Sequence, residues 1–293
     1  MLTVTAVSRS FGDNRVLDEV SFDVRSGRMT GFLGANGSGK TTTMRIILGV
    51  LAAHGGTVRW RDQPVTQEVR QRFGYMPEER GLYPKMKVAE QVTWLGRLHG
   101  LDTARAKANT ARLLEQLDLA ERAEDKLEAL SLGNQQRVQV AAALVHDPEL
   151  LILDEPFSGL DPIAVDTVLE VLRERAAGGV PVLFSSHQLA VVERLCDDLV
   201  IISRGSIAAN GARDELRAKY GTTRYELVVD GDAGWLRDQP GLRVVDLDGP
   251  RAVFEPEDRE VEQRVLRAAL DRGPVRAFTP VVPTLDEIFK EVI

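Results

Sequence analysis

The sequence predicts an α/β domain built on a phosphate-binding loop, followed by a small α+β domain. Residues 34–41 fit the pattern G-x-x-x-x-G-K-[ST] without a mismatch. They lie between an apolar run at residues 29–33 and a helical pattern at residues 42–50, the strand-to-helix context that this loop requires. A second apolar run, residues 150–153, ends on two adjacent acids, as a buried strand of an open α/β sheet does at a ligand site.

The segments between these landmarks alternate in type along the chain. Residues 79–145 carry apolar side chains at three- and four-residue spacings with charges between them, clearest at 88–98 and 104–119, which predicts helices. A Ser- and Gly-containing turn at residues 131–133 opens a further helix, predicted to be amphipathic. Short strands are predicted at residues 2–7, 17–24, 57–60, 182–187 and 199–202.

The pattern changes after Tyr220, so we place a domain boundary at residues 218/219. Short strand patterns separated by Gly or Pro and one amphipathic helix indicate a small α+β domain. Thr284 and Glu287 form a capping box that opens a final helix. This domain carries no Cys/His cluster, phosphate loop or basic stripe. The strands are predicted at 224–229, 242–247, 252–255 and 275–278, and the helix at 257–270.

The phosphate-binding loop predicts a nucleotide site. Its glycines let successive backbone N–H groups converge on phosphate oxygens, and the helix N-terminus adds positive potential. Lys40 is predicted to reach the β- and γ-phosphates of ATP, and Thr41 to bind Mg²⁺. The predicted cofactor-binding residues of the loop are Asn36, Gly37, Ser38, Gly39, Lys40, Thr41 and Thr42.

Two acids and a histidine are predicted at the carboxyl edge of the same sheet. An Asp-Glu pair alone is usually a solvated strand end. Here the apolar strand before it and the upstream loop favour a metal-phosphate site. Asp154 would bind Mg²⁺ directly or through water, and Glu155 would act as the base that polarises the attacking water. His187, at the end of another apolar strand, is placed to reach the γ-phosphate.

Composition limits the classes of partner. The chain has 37 basic and 44 acidic residues, net −7, which gives no electrostatic footprint for nucleic acid. Its one cysteine, Cys196, excludes an intrachain disulfide and is expected to be buried and reduced. No run approaches 18 apolar residues and the N-terminus does not resemble a signal peptide. If the protein drives transport, we expect the membrane path to belong to another chain.

One aromatic residue and six motifs, in the family's order, make residues 1–218 similar to the ATP-binding cassette (ABC) ATPases. Phe11 corresponds to the aromatic residue that stacks on adenine, and Glu78 to the position usually held by the Gln of the Q-loop. Residues 130–134, LSLGN, resemble the signature motif, and residues 158–161 resemble the D-loop that ends at Asp161. The phosphate loop and the strand that ends at Asp154 and Glu155 complete the set, with His187 as the switch histidine.

The resemblance implies a fold and a mechanism. The fold is a RecA-like core with an antiparallel β subdomain and a helical subdomain at about residues 79–145. Two cassettes pack head to tail, so that Ser131 and Gly133 of one copy bind the γ-phosphate held by the other, at a helix N-terminus suited to anions. The catalytic set is Glu155, His187, Glu78 and Asp161. With one phosphate loop and one signature, the chain needs a second cassette, most simply another copy of itself.

Two departures from the family pattern bear on function. Leu132 and Asn134 replace the Gly and Gln of the usual LSGGQ, while Ser131 and Gly133 are kept. Glu78 adds a negative charge near the metal, where it would act as ligand or positioning group with an altered rate or metal dependence. Together with the run at residues 74–88, these variants resemble the ATPases of bacterial ABC-2-type exporters, which carry a C-terminal accessory domain.

The resemblance predicts an exporter ATPase at the cytoplasmic face of the membrane, bound to a separate ABC-2-type permease. The Glu78 loop and the outer face of the helical subdomain would dock the permease through Leu82, Tyr83, Met86 and Trp94. Alternatively some of these residues pack in the subdomain core, which we expect for Trp94. A non-transport ABC ATPase is the alternative function, and an inactive regulatory binder is a third. The C-terminal domain is either a dimerisation or regulatory module or a stabilising addition.

Overall fold

A computed structural model describes residues 1–221 and 223–293 of the chain. They form two units, Met1–Arg213 and Asp214–Ile293, so the boundary lies five residues before the predicted one. The first unit contains a six-stranded and a four-stranded sheet, and the second contains another four-stranded sheet. In the part of the chain so described, no helix is long and apolar enough to cross a bilayer.

The strands, in chain order, are β1 (Leu2–Phe11), β2 (Asn14–Val24), β3 (Met29–Leu33), β4 (Gly55–Trp60), β5 (Gln63–Pro64), β6 (Phe73–Met76), β7 (Leu150–Leu153), β8 (Val182–Ser185), β9 (Asp198–Ser203), β10 (Ser206–Ala212), β11 (Arg224–Val229), β12 (Leu242–Asp248), β13 (Arg251–Pro256) and β14 (Val275–Val281). The α-helices are α1 (Lys40–Ile47), α2 (Gln67–Arg70), α3 (Val88–Leu98), α4 (Thr103–Gln116), α5 (Leu132–Leu144), α6 (Pro162–Ala177), α7 (Leu189–Leu195), α8 (Arg213–Tyr220), α9 (Arg259–Arg272) and α10 (Leu285–Val292).

The central sheet has the order β10-β9-β3-β8-β7-β6, with every pair parallel except β9 and β10. Strands β3, β7 and β8 are buried at every position, as expected for strands covered on both faces. Their carboxyl ends meet at one edge, so the phosphate loop after β3, the acids after β7 and the histidine after β8 come together there.

The antiparallel sheet β2-β1-β4-β5 shares its core with the central sheet. The N-terminal strand predictions are therefore confirmed, although β1 and β2 are longer than predicted and contain register shifts. The predicted α/β cassette fold is confirmed.

The helical region also follows the prediction, with corrections. Helix α3 has the predicted bounds, and α4 begins and ends within a few residues of its prediction. Trp94 does not pack in the subdomain core: it is 38% exposed and its ring meets Tyr83 edge to face, with centroids 5.7 Å apart. Helix α5 was predicted to be amphipathic, and this was wrong. The helix buries polar and apolar side chains on several faces and does not present one polar face.

The second unit packs α9 on one face of the antiparallel sheet β12-β13-β11-β14. Its core includes Leu227, Phe254 and Val265, each fully buried. The capping box of Thr284 and Glu287 opens α10 as predicted. Glu255 on β13 accepts hydrogen bonds from Arg224 at 2.6 Å and from Arg243 at 2.8 Å, which joins three strands of the sheet.

Candidate nucleotide site

The phosphate-binding loop ends in a glycine that no other residue type replaces without strain. Gly39 has φ +111° and caps α1, and a Cβ there would lie 2.5 Å from Cδ2 of Leu17. Half-buried Lys40 donates through Nζ to the carbonyl oxygens of Gly34 at 2.7 Å and Ala35 at 3.2 Å. Burial lowers the pKa of Lys40, while the nearby carboxylates of Glu155, Asp154 and Glu78 act to raise it. The ammonium group is thus held inside the loop that would wrap a phosphate.

Asp154 is fixed by hydroxyl groups on two other elements. The Thr41 hydroxyl donates to its Oδ2 at 2.9 Å, and the Ser185 hydroxyl donates to its Oδ1 at 2.5 Å. Ser185 Oγ also accepts from the backbone N–H of Glu155 at 2.9 Å. Helix α1 and the ends of β7 and β8 are therefore joined at one carboxylate, which belongs to a residue that is 1% exposed.

Glu155 and His187 form a pair at the edge of the site. Nδ1 of His187 lies 2.8 Å from Oε2 of Glu155, and the carboxylate accepts, so this nitrogen carries the proton. Burial raises the pKa of the Glu155 carboxyl, and the His187 imidazole and Lys40 act against that rise. Glu155 has φ +51°, a conformation that costs a non-glycine residue free energy and is typical of functional sites.

Lys40, Thr41, Asp154 and Glu155 line a common cavity of about 470 Å³. This volume lies within the ~300–1,000 Å³ that is usual for small-molecule sites. Phe11 stands at its wall, 49% exposed, with the Arg9 guanidinium 4.9 Å from its ring centroid. Glu78 is exposed and also lines it. Ser38 and His187 do not line the cavity itself. The lining residues are Phe11, Asn14, Val16, Asn36, Gly37, Gly39, Lys40, Thr41, Thr42, Glu78, Asp154 and Glu155.

The donor set of this cavity fits Mg²⁺. The Thr41 hydroxyl and Asp154 carboxylate are oxygen donors 2.9 Å apart, and Mg²⁺ in nucleotide sites takes one or two such ligands with water and phosphate oxygens. Among residues 1–221 and 223–293, no group of three or more His, Cys, Asp or Glu side chains forms a metal site by itself.

Ser131, Gly133 and Asp161 are also absent from the cavity lining and form a second group of predicted site residues. Ser131 is exposed and caps α5, where its Oγ accepts from the N–H of Asn134 at 3.3 Å. A Cβ on Gly133 would lie 3.4 Å from the carbonyl oxygen of Gly159, so the signature motif and the 158–161 turn are neighbours. Asp161 caps α6 and accepts from the N–H of Ala164 at 2.8 Å. Within one chain, then, the structure forms two separate groups of predicted site residues.

Sequence reasoning missed three residues that contact the site. Ser185 lies in a strand whose position was predicted, but nothing in the run VLFSSH distinguishes this serine from its neighbour. Gln136 and Gln139 belong to a helix expected to turn its polar side chains to water. Their burial depends on the packing of α5 against loops that are distant in sequence.

Two family models match the chain. Residues 17–158 match the model described as "ABC transporter". Residues 211–293 match the model described as "ATP-binding protein DrrA1-3-like, C-terminal domain". Between them the two matches include the phosphate loop, the signature motif, both acids after β7 and the second unit.

Known proteins resemble the chain over most of its length. It is 38% identical over 293 residues to an uncharacterized ABC transporter ATP-binding protein of Bacillus subtilis (YhaQ), covering 100% of this chain and 98% of the relative. It is 39% identical to the Nod factor export ATP-binding protein I of Paraburkholderia xenovorans, covering 72% and 71%. A solved ATP-binding subunit of an ABC transporter superposes with a TM-score of 0.70 at 33% identity, covering 75% of this chain and 93% of that one.

Proposed function

The chain belongs to the ABC transporter family as an ATP-hydrolysing, energy-coupling subunit of the exporter type, and from that premise we propose how its residues bind and hydrolyse ATP and which partners complete it. The observation that carries the proposal is the position of Glu155. Its carboxylate borders the cavity formed by the phosphate loop and is oriented by His187.

We assign ATP binding to the phosphate loop and to Phe11 at the end of β1. Backbone N–H groups of residues 36–42 and the N-terminus of α1 take the phosphates, and Lys40 exchanges its carbonyl contacts for β- and γ-phosphate oxygens. Phe11, half exposed at the cavity wall, stacks on the adenine. Thr41 and Asp154 hold Mg²⁺, which supplies charge neutralisation to the β- and γ-phosphates when bound.

Hydrolysis is assigned to a water molecule in line with the γ-phosphate. Glu155 accepts a proton from this water as its oxygen bonds to the γ-phosphorus, and the bond between that phosphorus and the bridging oxygen of ADP breaks. His187 orients the carboxylate through Nδ1–H, and as an imidazolium it would also donate through Nε2–H to the γ-phosphate or to inorganic phosphate. Glu78, at the cavity edge, would position the attacking water.

A second copy completes the site. Ser131 is exposed at the N-terminus of α5, a place suited to bind an anion from another molecule. Leu132, next to Ser131 in sequence, is 59% exposed, and Ile163, two residues after Asp161, is 79% exposed, so an exposed apolar side chain follows each of these two segments. We assign Ser131 and Gly133 to the γ-phosphate of a partner cassette in a head-to-tail homodimer, with Asp161 at the shared interface.

The membrane partner is assigned to a groove of the helical subdomain. A cavity of about 730 Å³ lies along α3 and α4, with Met86, Thr93 and Trp94 among its lining residues. The connection of these helices spans only residues 99–102, so they run antiparallel as a helical hairpin. The groove accepts one amphipathic helix through apolar contact with Trp94 and Met86.

The charges of this groove differ between its ends. Arg97, at the end of α3, and Lys107, in the second turn of α4, lie near the connection, whereas Glu90 and Glu124 lie at the opposite end. The occupant that fits is a cytoplasmic helix of an ABC-2-type permease with acidic residues at one end and basic residues at the other. The chain would then lie at the cytoplasmic face of the membrane, bound through its permease.

Co-purification with a candidate permease tests this partnership. The tagged chain is co-expressed with a polytopic protein encoded beside it, and the detergent extract is purified on the tag. Trp94→Ala with Arg97→Glu is expected to lose the permease while the isolated variant keeps its ATPase rate. Trp235→Ala, in the second unit, is the matched control and should retain it. If the wild-type chain also purifies without the permease, and groove variants leave its activity in cells unchanged, the result would instead support a non-transport ATPase.

A further inference from the structure

Helix α5 reaches two parts of the nucleotide site through buried glutamines. Gln136 and Gln139 are 2% and 4% exposed and, three positions apart, lie on one face of the helix. That face points at the turn that carries Glu155 and at the loop that carries Glu78. The same helix begins at Ser131, which the proposed mechanism assigns to the partner's ATP.

Gln136 holds the backbone of the catalytic turn. Its Nε2 donates to the carbonyl oxygen of Glu155 at 3.0 Å and to that of Pro156 at 3.2 Å. Glu155 occupies the left-handed backbone region, so its conformation depends on the surroundings that fix it. A donor that holds the carbonyls of this residue and the next helps to keep the carboxylate aimed at the cavity.

Gln139 holds the loop on either side of Glu78. Its Nε2 donates to the carbonyl oxygens of Pro77 at 2.7 Å and Glu79 at 3.3 Å. Because both facing atoms are acceptors, the amide must turn its NH₂ group toward them. The Glu78 side chain between these two anchored residues lines the cavity.

The orientation of the Gln139 amide leaves one of its polar atoms without a hydrogen bond. Its Oε1 is buried and has no hydrogen-bond partner among the described residues. Such an oxygen lowers the stability of the folded state, a cost that an apolar side chain of similar shape would avoid. A buried polar group left partly unsatisfied calls for a reason other than stability. Holding the Glu78 loop supplies that reason.

We propose that Gln136 and Gln139 are positioning residues that fix the Glu155 turn and the Glu78 loop to the helix that starts at Ser131. Gln139 stands eight residues after Ser131, about 12 Å along the helix at 1.5 Å per residue. A phosphate bound at Ser131 from the partner copy would therefore set the position of Glu155 and Glu78 in the other site of the dimer. This inference rests on the proposed shared-site mechanism.

Steady-state kinetics of Gln136→Met and Gln139→Met test the proposal. Methionine keeps the length of the side chain and removes the donor. We expect kcat to fall about 10- to 100-fold, since a misplacement of about 1 Å at a reacting group costs on the order of 100-fold. KM for ATP should change less than about threefold, because neither glutamine lines the cavity and uniform binding is retained. Gln116→Met, a glutamine whose amide bonds Glu174 away from the site, is the control.

A double-mutant cycle with Glu78→Ala separates positioning from general packing. If Gln139 acts through Glu78, the Gln139→Met substitution should lower kcat by less than about threefold in the Glu78→Ala background. This loss is much smaller than the loss that the same substitution causes in the wild-type background. Independent, multiplicative losses would overturn the assignment, as would wild-type kcat in both single variants. Should Gln139→Met fail to fold, Gln139→Glu, which keeps the shape and replaces the donor with an acceptor, enters the same cycle.

Failure of the positioning role can be distinguished from failure of the proposed hydrolytic mechanism. Full turnover by Glu155→Gln would remove the assigned base, whatever the glutamine variants do. An inactive Glu155→Gln together with multiplicative losses in the Gln139 cycle would leave the hydrolytic mechanism standing and reject the positioning role alone.

Discussion

The imidazole Nδ1 of His187 lies 2.8 Å from the carboxylate Oε2 of Glu155, across the ends of two neighbouring strands. The carboxylate is 11% exposed and the imidazole 63% exposed, so the pair has one buried and one accessible member. In the proposed mechanism the accessible imidazole, which lies outside the cavity lining, would reach the γ-phosphate while it holds the buried base. The pair would then link the state of the γ-phosphate to the orientation of the proton acceptor.

Glu155→Gln is expected to abolish steady ATP hydrolysis and to keep ATP binding. The amide preserves the shape of the side chain but accepts no proton, and general-base catalysis contributes about 10²- to 10⁴-fold. Phosphate release and nucleotide affinity are measured on the same preparation. Glu170→Gln, an exposed position of α6, is the control and should match the wild type. Turnover near the wild-type rate in Glu155→Gln would show that another group is the base.

His187→Ala is expected to lower kcat at neutral pH and to shift the acid limb of its pH profile. Burial raises the pKa of Glu155 and the imidazole acts against that rise, so removal of the imidazole raises this pKa further. The base works when deprotonated, so activity is lost as the pH falls through this pKa, and the acid limb of kcat moves to higher pH. At neutral pH we expect a loss of about 10²-fold from the missing donor.

His99→Ala, an exposed histidine that stacks on His146 and does not line the cavity, is the control for this profile. An acid limb that stays in place or moves to lower pH in His187→Ala would contradict the assigned electrostatic coupling.

Lys40→Met is expected to weaken ATP binding while the fold is kept. Lys40 contacts carbonyl oxygens of its own loop, and hydrogen bonds of a charged group to phosphate contribute about 1.5–3 kcal/mol, or roughly 10- to 100-fold in affinity. Titration with a fluorescent ATP analogue measures the loss, and Lys126→Met at an exposed position is the control. Equal affinities in the two variants would exclude Lys40 from the phosphate site.

The sequence predicts those parts of the site that depend on local geometry. Gly39 needs a positive φ, and the residues after β3, β7 and β8 share one sheet edge in any parallel arrangement, so Lys40, Asp154 and His187 follow from spacing and periodicity. Trp94 was misassigned and Gln139 was missed because their surroundings come from segments outside their own helices. Periodicity records how often an apolar residue recurs, but not whether a distant loop covers a polar one.

Glu255→Ala is expected to destabilise the second unit by about 1–3 kcal/mol, because Arg224 and Arg243 lose a shared buried acceptor. Burial acts to raise the pKa of Glu255, but hydrogen bonds from Arg224 and Arg243 outweigh it and leave this pKa below its usual value. The stabilisation is therefore present above the unfolded-state pKa and is lost as the pH falls through the folded-state one.

Hydrogen exchange of peptides from residues 224–281 measures this effect at neutral and acidic pH. Asp246→Ala removes an ion pair whose two members are 58% and 44% exposed, so its effect should stay below about 1 kcal/mol. Equal destabilisation by the two variants would contradict the role given to burial.

Mixed dimers test the shared site directly. Ser131→Asp keeps an N-cap for α5 but places a negative charge where the partner's γ-phosphate would bind, so this variant alone should be inactive. When it is paired with Glu155→Gln by tandem purification on two tags, one site of each dimer combines an intact Glu155 with an intact Ser131. About half of the wild-type ATPase rate is then expected per dimer if the two sites act independently. The control is Lys40→Met paired with Glu155→Gln, which damages both sites of the dimer. If the dimer of Ser131→Asp with Glu155→Gln is no more active than this control, the head-to-tail arrangement is rejected.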